Sequence, residues 1–149
     1  MAEFTEYFDS GVLVKIYHLE PGSREAASRV RRAGLIPLPF LAEMEMRNAL
    51  RVLHGRNQLT EEVLEGALSL MDSDIRQGRL ARIVPDAAKV ASTAERLSRN
   101  FSARSLCRTL DLLHVSIAVA LGVARFHTGD KREAALARKA GLRVSFLAQ

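Results

Sequence analysis

The stretch ARFHTGDKREAALARKAGLRVSFL, residues Ala124–Leu147, decides how this chain is to be read. Ala124 to Thr128 is a short β-prone segment. Asp130 stands where a helix N-cap belongs, and Glu133 follows three residues later in the capping-box position. Lys131 to Lys139 then reads as a helix stopped by Gly141, and Leu142 to Leu147 as another strand. A strand, a helix and a strand in this order imply parallel strands joined by a helical crossover.

Working outward, the alternation recurs. Thr5 to Phe8 is strand-like, and after Asp9-Ser10 the run Val12 to Tyr17 suits a short helix broken by Pro21-Gly22. Ser23 is placed to cap a helix over Arg24 to Arg32 that ends at Gly34. Leu35 to Leu38 is a second strand, with Pro37 better suited to an edge or an end than to a strand centre. Ala42, Met46, Ala49, Leu50 and Leu53 recur at helical spacing, and Gly55 stops that helix. Thr60 starts another, with Val63, Leu64, Ala67, Leu68, Met71 and Ile75 as its stripe and Gly78 at its end. That stripe is either core or a surface for a partner. Leu80 to Val84 is a minor strand, Asp86 caps a helix to about Arg99, and Leu110 to Leu121 is apolar nearly all round, as a central buried helix is. The expected class is α/β, with parallel strands and helices on both faces.

A length of 149 residues predicts one domain, residues 1–149, that buries roughly 68–70% of its unfolded surface. Lys and Arg number 22 against 17 Asp and Glu, giving +5, a balance that favours polyanionic partners. The arginines are spread along helical stretches rather than gathered in one block. Trp is absent and Tyr and Phe are few, which argues against a base-stacking platform. Cys107 is the sole cysteine, so the chain forms no internal disulfide and no cysteine metal cage, which fits a reducing, cytoplasmic setting. The start, MAEFTEYF, is acidic and lacks the apolar length of a signal peptide. The longest apolar run, Leu112 to Ala124, is shorter than the ~20 residues of a membrane span.

The acids carry the chemistry. In "EYFDSGVLVKIY", Glu6 to Tyr17, a carboxylate interrupts an apolar run, and a buried charge is costly unless paired. Asp9 falls at the carboxyl end of the first strand and Asp130 just past that of a late one, where open parallel sheets bind ligands. Asp111 begins the helix "RTLDLLHVSIAVALG". Glu45 lies in "AEMEMRNALRVL", where Glu43 is an equal candidate on the helical wheel. Each acid also has an ordinary role available: a cap for Asp9 and Asp130, a helix N-terminal anion for Asp111, a solvated helix residue for Glu45. Carboxylates gathered together call for a cation between them, and hard oxygen donors suit Mg²⁺ or Mn²⁺. His18, His54, His114 and His127 show no zinc spacing.

"YFDSGVLVKIYHLEPGS", "EMRNAL", "RTLDLLHVSIAVALG" and "FHTGDKREAALARKAGLRV" occur in the order expected of a PIN domain. Together they most resemble the VapC-type toxins of toxin–antitoxin pairs, over nearly the whole chain. The resemblance implies a three-layer α/β/α sandwich with a central, mostly parallel sheet of four to five short strands. It implies a Mg²⁺- or Mn²⁺-dependent endoribonuclease that leaves a 5′-phosphate and a 3′-hydroxyl. Matched by motif, Asp9, Glu45, Asp111 and Asp130 are the catalytic, metal-binding acids; Glu45 is preferred to Glu43 on that ground alone. Ser10 and Thr128 match hydroxyl residues that hold carboxylates or water. Lys15, Arg47 and Arg51 are weak candidates for RNA phosphate contacts, and an ordinary solvated charge is the first reading of each. Gly11 and Gly129 depart from the pattern, standing where larger or polar residues are common. His114 is read as packing support. The implied partners are an RNA substrate, a cognate antitoxin that covers the acidic cleft and a second copy in a homodimer, with no membrane. The competing readings are an inactive PIN-like module and a basic helical RNA- or protein-binding module.

Overall fold

The structure, a computed structural model, describes residues 4–148. The first three residues of the acidic N-terminal run therefore lie outside the described residues, as does Gln149. The elements are β1 (Glu6–Phe8), α1 (Ser10–Val14), α2 (Ser23–Ala33), β2 (Ile36–Pro39), α3 (Phe40–Gly55), α4 (Glu61–Arg76), β3 (Leu80–Ile83), α5 (Ala87–Leu97), a π-helical turn (Ser98–Ser102), α6 (Ala103–Ser105), α7 (Thr109–Leu121), β4 (Arg125–Thr128), α8 (Lys131–Lys139) and β5 (Arg143–Phe146). This is the expected α/β class, and every strand pair is parallel. The five strands hydrogen-bond as two ladders, β1-β4-β5 and β2-β3, rather than as one sheet.

The chain divides into two compact units. The first joins residues 4–9 to residues 84–148. In it β4 is the middle strand, with Phe8 in register with His127 on one side and Thr128 with Phe146 on the other. Helix α5 packs on α7, and α8 packs on α7, β4 and β5. Tyr7, Phe8, Leu97, Val115, Ala118, Phe126 and Leu136 are its buried apolar residues of note. Tyr7 stacks on Phe126 at 5.4 Å, and its hydroxyl shares a 2.7 Å hydrogen bond with His114 Nδ1, so His114 packs inside this unit. Asp86 caps α5 by accepting from the Lys89 N–H.

The second unit is residues 10–83. Here α1 packs on α3, α3 on α4, and the β2-β3 ladder joins α3 and α4. Leu13, Ile36, Leu38, Met46, Leu50 and Met71 form its interior. Pro37 sits in a two-stranded ladder, where each strand has an open edge and a missing N–H is tolerated. On α4, Leu64, Ala67 and Met71 are buried while Val63 is half-exposed, so its stripe is core on one flank only. Two local readings are corrected. Helix α1 spans Ser10–Val14 rather than Val12 to Tyr17, because it starts directly after Asp9 and ends in a turn. Ser23 is the first residue of α2 and not its cap; Gly22 precedes it in left-handed backbone, and Ser23 Oγ accepts from the Glu20 N–H and donates to His18 O.

Candidate active site

Parallel pairing sets the carboxyl ends of β1 and β4 side by side. The Asp9 N–H donates to His127 O at 3.0 Å, which carries the ladder one residue past β1 and fixes the Asp9 backbone. Thr128, the last residue of β4, is fully buried. Its hydroxyl donates to Asp9 Oδ2 at 2.5 Å and accepts from the Asp130 N–H at 3.0 Å. Asp9 is buried, so this charge-assisted bond offsets part of its desolvation.

Asp130 caps α8, its Oδ1 accepting from the Glu133 N–H at 2.9 Å. The reciprocal half of a capping box is absent. Glu133 does not reach back; it is turned inward and only 2% exposed, and its Oε1 has no hydrogen-bond partner. Burial, the Asp9 charge, a hydrogen bond with Asp9 and the Asp111 charge together push its carboxyl far above the ordinary range, against the opposing hydrogen bond from Thr128. These surroundings favour the protonated form of Glu133, which adjoins two of the sequence-predicted acids. Sequence reading spent it on a cap. A signal was present: Glu133 heads the buried stripe Glu133, Leu136 and Ala137 of α8, another carboxylate in an apolar row.

Asp111 is buried in the first turn of α7, where its Oδ2 accepts from the Arg108 N–H at 3.3 Å and from Arg108 Nε at 3.4 Å. The same guanidinium stands 3.7 Å from Asp130 Oδ2. Arg108 therefore bridges two of the acids, although its side chain is 73% exposed. Asp9, Asp111, Asp130, Thr128 and Glu133 all belong to the first unit.

Ser10 and Glu45 belong to the second unit, where Ser10 Oγ donates to Glu45 Oε1 at 3.2 Å. Glu43 is engaged elsewhere: Arg82 and Arg47 hold it at 2.7 and 3.1 Å and keep its carboxyl below the usual range. The two glutamates that the helical wheel left equal thus differ in what they touch. Of the three basic candidates, Lys15 is buried, with Nζ donating to Glu20 Oε1 and to Pro21 O. Arg47 donates to Asp72 at 2.6 Å and to Glu43, so its guanidinium is occupied within the unit. Arg51 is exposed on α3.

The donor chemistry fits a hard divalent ion: carboxylate oxygens, one of them buried and unpartnered on Glu133. Among the described residues, no group of three His, Cys, Asp or Glu side chains is set to grip one ion. Arg108 and the cap of α8 hold Asp111 and Asp130 instead.

The chain belongs to the PIN domain family, whose model matches residues 7–142. Among solved structures its fold is similar to that of VapBC2 from Rickettsia felis bound to a DNA fragment from their promoter, at 15% identity and TM-score 0.67 over 95% of this chain and 98% of that one. It is also similar to FitAcB from Neisseria gonorrhoeae, at 13% identity and TM-score 0.60 over 94% and 96%. PAE2754 from Pyrobaculum aerophilum follows, at 12% identity and TM-score 0.58 over 95% and 89%. No match is found among curated proteins. Among the described residues, no helix is long and apolar enough to cross a membrane.

Proposed function

We propose that this chain, taken as one nuclease domain over residues 1–149, is a Mg²⁺- or Mn²⁺-dependent endoribonuclease and the toxin of a toxin–antitoxin pair. PIN domains are in general nucleases, and the similar folds include a VapBC structure. The observation that carries the reading is the carboxylate group at the ends of β1 and β4. Asp9, held by Thr128, lies with Asp111 close enough to Glu133 for both charges to bear on its proton.

Asp9, Asp111 and Asp130 would hold the ion, with Glu45 as a further ligand or as the group that orients water. The place of Glu45 rests on the sequence motif "EMRNAL" and on its contact with Ser10. A bound divalent ion supplies an acidified water and offsets charge building on the phosphate. The chain's own residues do the rest. Thr128 fixes one carboxylate of the set and, through the Asp130 N–H, the backbone of another. Glu133 is buried beside Asp9 and Asp111, with one carboxylate oxygen left without a hydrogen-bond partner. The partners that go with this reading are an antitoxin segment over the acids and a second copy of the chain.

The test is cleavage of labelled RNA by purified protein in Mg²⁺, Mn²⁺ or chelator. We expect cutting only with metal, and its loss in Asp9→Asn and Asp111→Asn with the circular dichroism spectrum unchanged. Cutting by both variants at the parent rate ends the assignment.

A further inference from the structure

Next to the acids lies a cavity of about 360 Å³ lined by Arg108, Asp130, Lys131 and Arg132. Its wall carries three cations against one carboxylate, a balance that suits an anion. Its size is at the lower end for a small-ligand pocket. Arg108 is loosely engaged: its two side-chain contacts, 3.4 Å to Asp111 and 3.7 Å to Asp130, are longer than a good charge-assisted bond of about 2.7–2.9 Å. Lys131 and Arg132 are exposed on the first turn of α8 and form no ion pair among the described residues.

We propose that this pocket, resting on the nuclease reading above, holds a backbone phosphate of single-stranded RNA beside the bond to be cut, with Arg108 as its main contact. Arginine presents a planar fork of donors that matches phosphate oxygens, and the two cations beside it add attraction that needs no base sequence. The pocket shares Asp130 with the acid group, so a chain seated there lies within one nucleotide's reach of the acids. An acidic peptide offers the same sign of charge, but the neighbouring acids are read as cutting a phosphodiester bond, which only a nucleic acid carries. RNA is the occupant the position favours.

The experiment measures binding of a short labelled RNA to the full chain in chelator, where no cleavage is expected, as a function of salt. Arg108→Ala is expected to weaken binding about tenfold and to reduce the salt slope by about 0.7, the amount for one phosphate contact on a single strand. Arg108→Lys should recover part of the loss, and Lys131→Ala with Arg132→Ala should lower the slope further. Arg31→Ala, an exposed arginine of α2, is the control and should change neither quantity. Thermal melts establish that each variant is folded, and Arg108→Gln replaces Arg108→Ala if the latter is not. With metal added, the cleavage defect of Arg108→Ala should appear mainly in KM.

Parent-like affinity and slope in a folded Arg108 variant overturn the proposal, as does a parent chain that does not bind RNA. Equal competition by polyglutamate of matched charge also overturns it, in favour of a peptide site. The two readings fail separately. RNA that binds through Arg108 but is never cut in Mg²⁺ or Mn²⁺ sinks the nuclease and spares the pocket. Cutting with an unchanged KM in Arg108→Ala does the reverse.

Discussion

At the residue scale, Glu133 departs most from what its surroundings prefer. It keeps its proton when folded, whereas the same side chain in the unfolded chain ionises near pH 4.3. Folding at neutral pH must therefore restore that proton, at a cost in stability. Glu133→Gln removes the cost, and in chelator at pH 7 we expect its melting temperature to rise by a few degrees over the parent in calorimetry. Tyr17 works in the other pH range. It is buried and donates to Asp74 Oδ2 at 2.6 Å, with Arg79 on the other carboxylate oxygen at 2.8 Å. Burial first, then the Asp74 hydrogen bond and charge, raise its pKa well beyond the ordinary tyrosine value near 10. The folded form keeps the proton where the unfolded form loses it, so this contribution is whole below pH 10 and drains away above it. Tyr17→Phe should be less stable than the parent at pH 7, by about 1–3 kcal/mol for the orphaned Asp74 oxygen. That gap should narrow in denaturant titrations as pH rises past 10. Asp9 could be picked out in the sequence because it stands at the carboxyl end of a strand, and Thr128 only through the family motif that it matches. Glu133 was hidden by its setting: Asp130-Lys131-Arg132-Glu133 spells a capping box whether or not the second half of the box forms, and that reading outweighed its place in the apolar row of α8.

At the element scale, helix starts follow side-chain chemistry where a polar cap exists. Asp86 and Thr60 each accept from the N–H three residues on, and both were readable from residue type alone. Asp86→Ala should cost about 1 kcal/mol, measured by urea unfolding. Ser23 misled for a physical reason: its hydroxyl found partners in the preceding turn, at Glu20 and His18, and Gly22 took the cap position in left-handed backbone. Strand positions in the fourth block were legible because apolar runs bounded by Gly122, Asp130 and Gly141 leave little choice. Which strands share a ladder was not legible. Pairing depends on long-range contacts that no local window contains, and the parallel strands hydrogen-bond as the ladders β1-β4-β5 and β2-β3. The π-helical turn Ser98–Ser102 left no sequence signal. Its residues read as the ordinary end of α5.

At the scale of the whole molecule, one compact unit is continuous in sequence and the other is not. The surplus of positive charge is distributed over both, so the attraction of a polyanion to the chain at large is diffuse and screened by salt, and any preference for one path across the surface must come from local groupings such as Arg108, Lys131 and Arg132. The discontinuous unit has a consequence for the cell that makes it. The strand that Asp9 follows is synthesised well before its partner: the hydroxyl that holds Asp9 sits 119 residues later. Until that late strand emerges, the nascent polypeptide has no ladder for β1 to join and no carboxylate group to assemble. A chain built this way cannot close its first ladder, or bring Asp9 to Thr128, until β4 has been made.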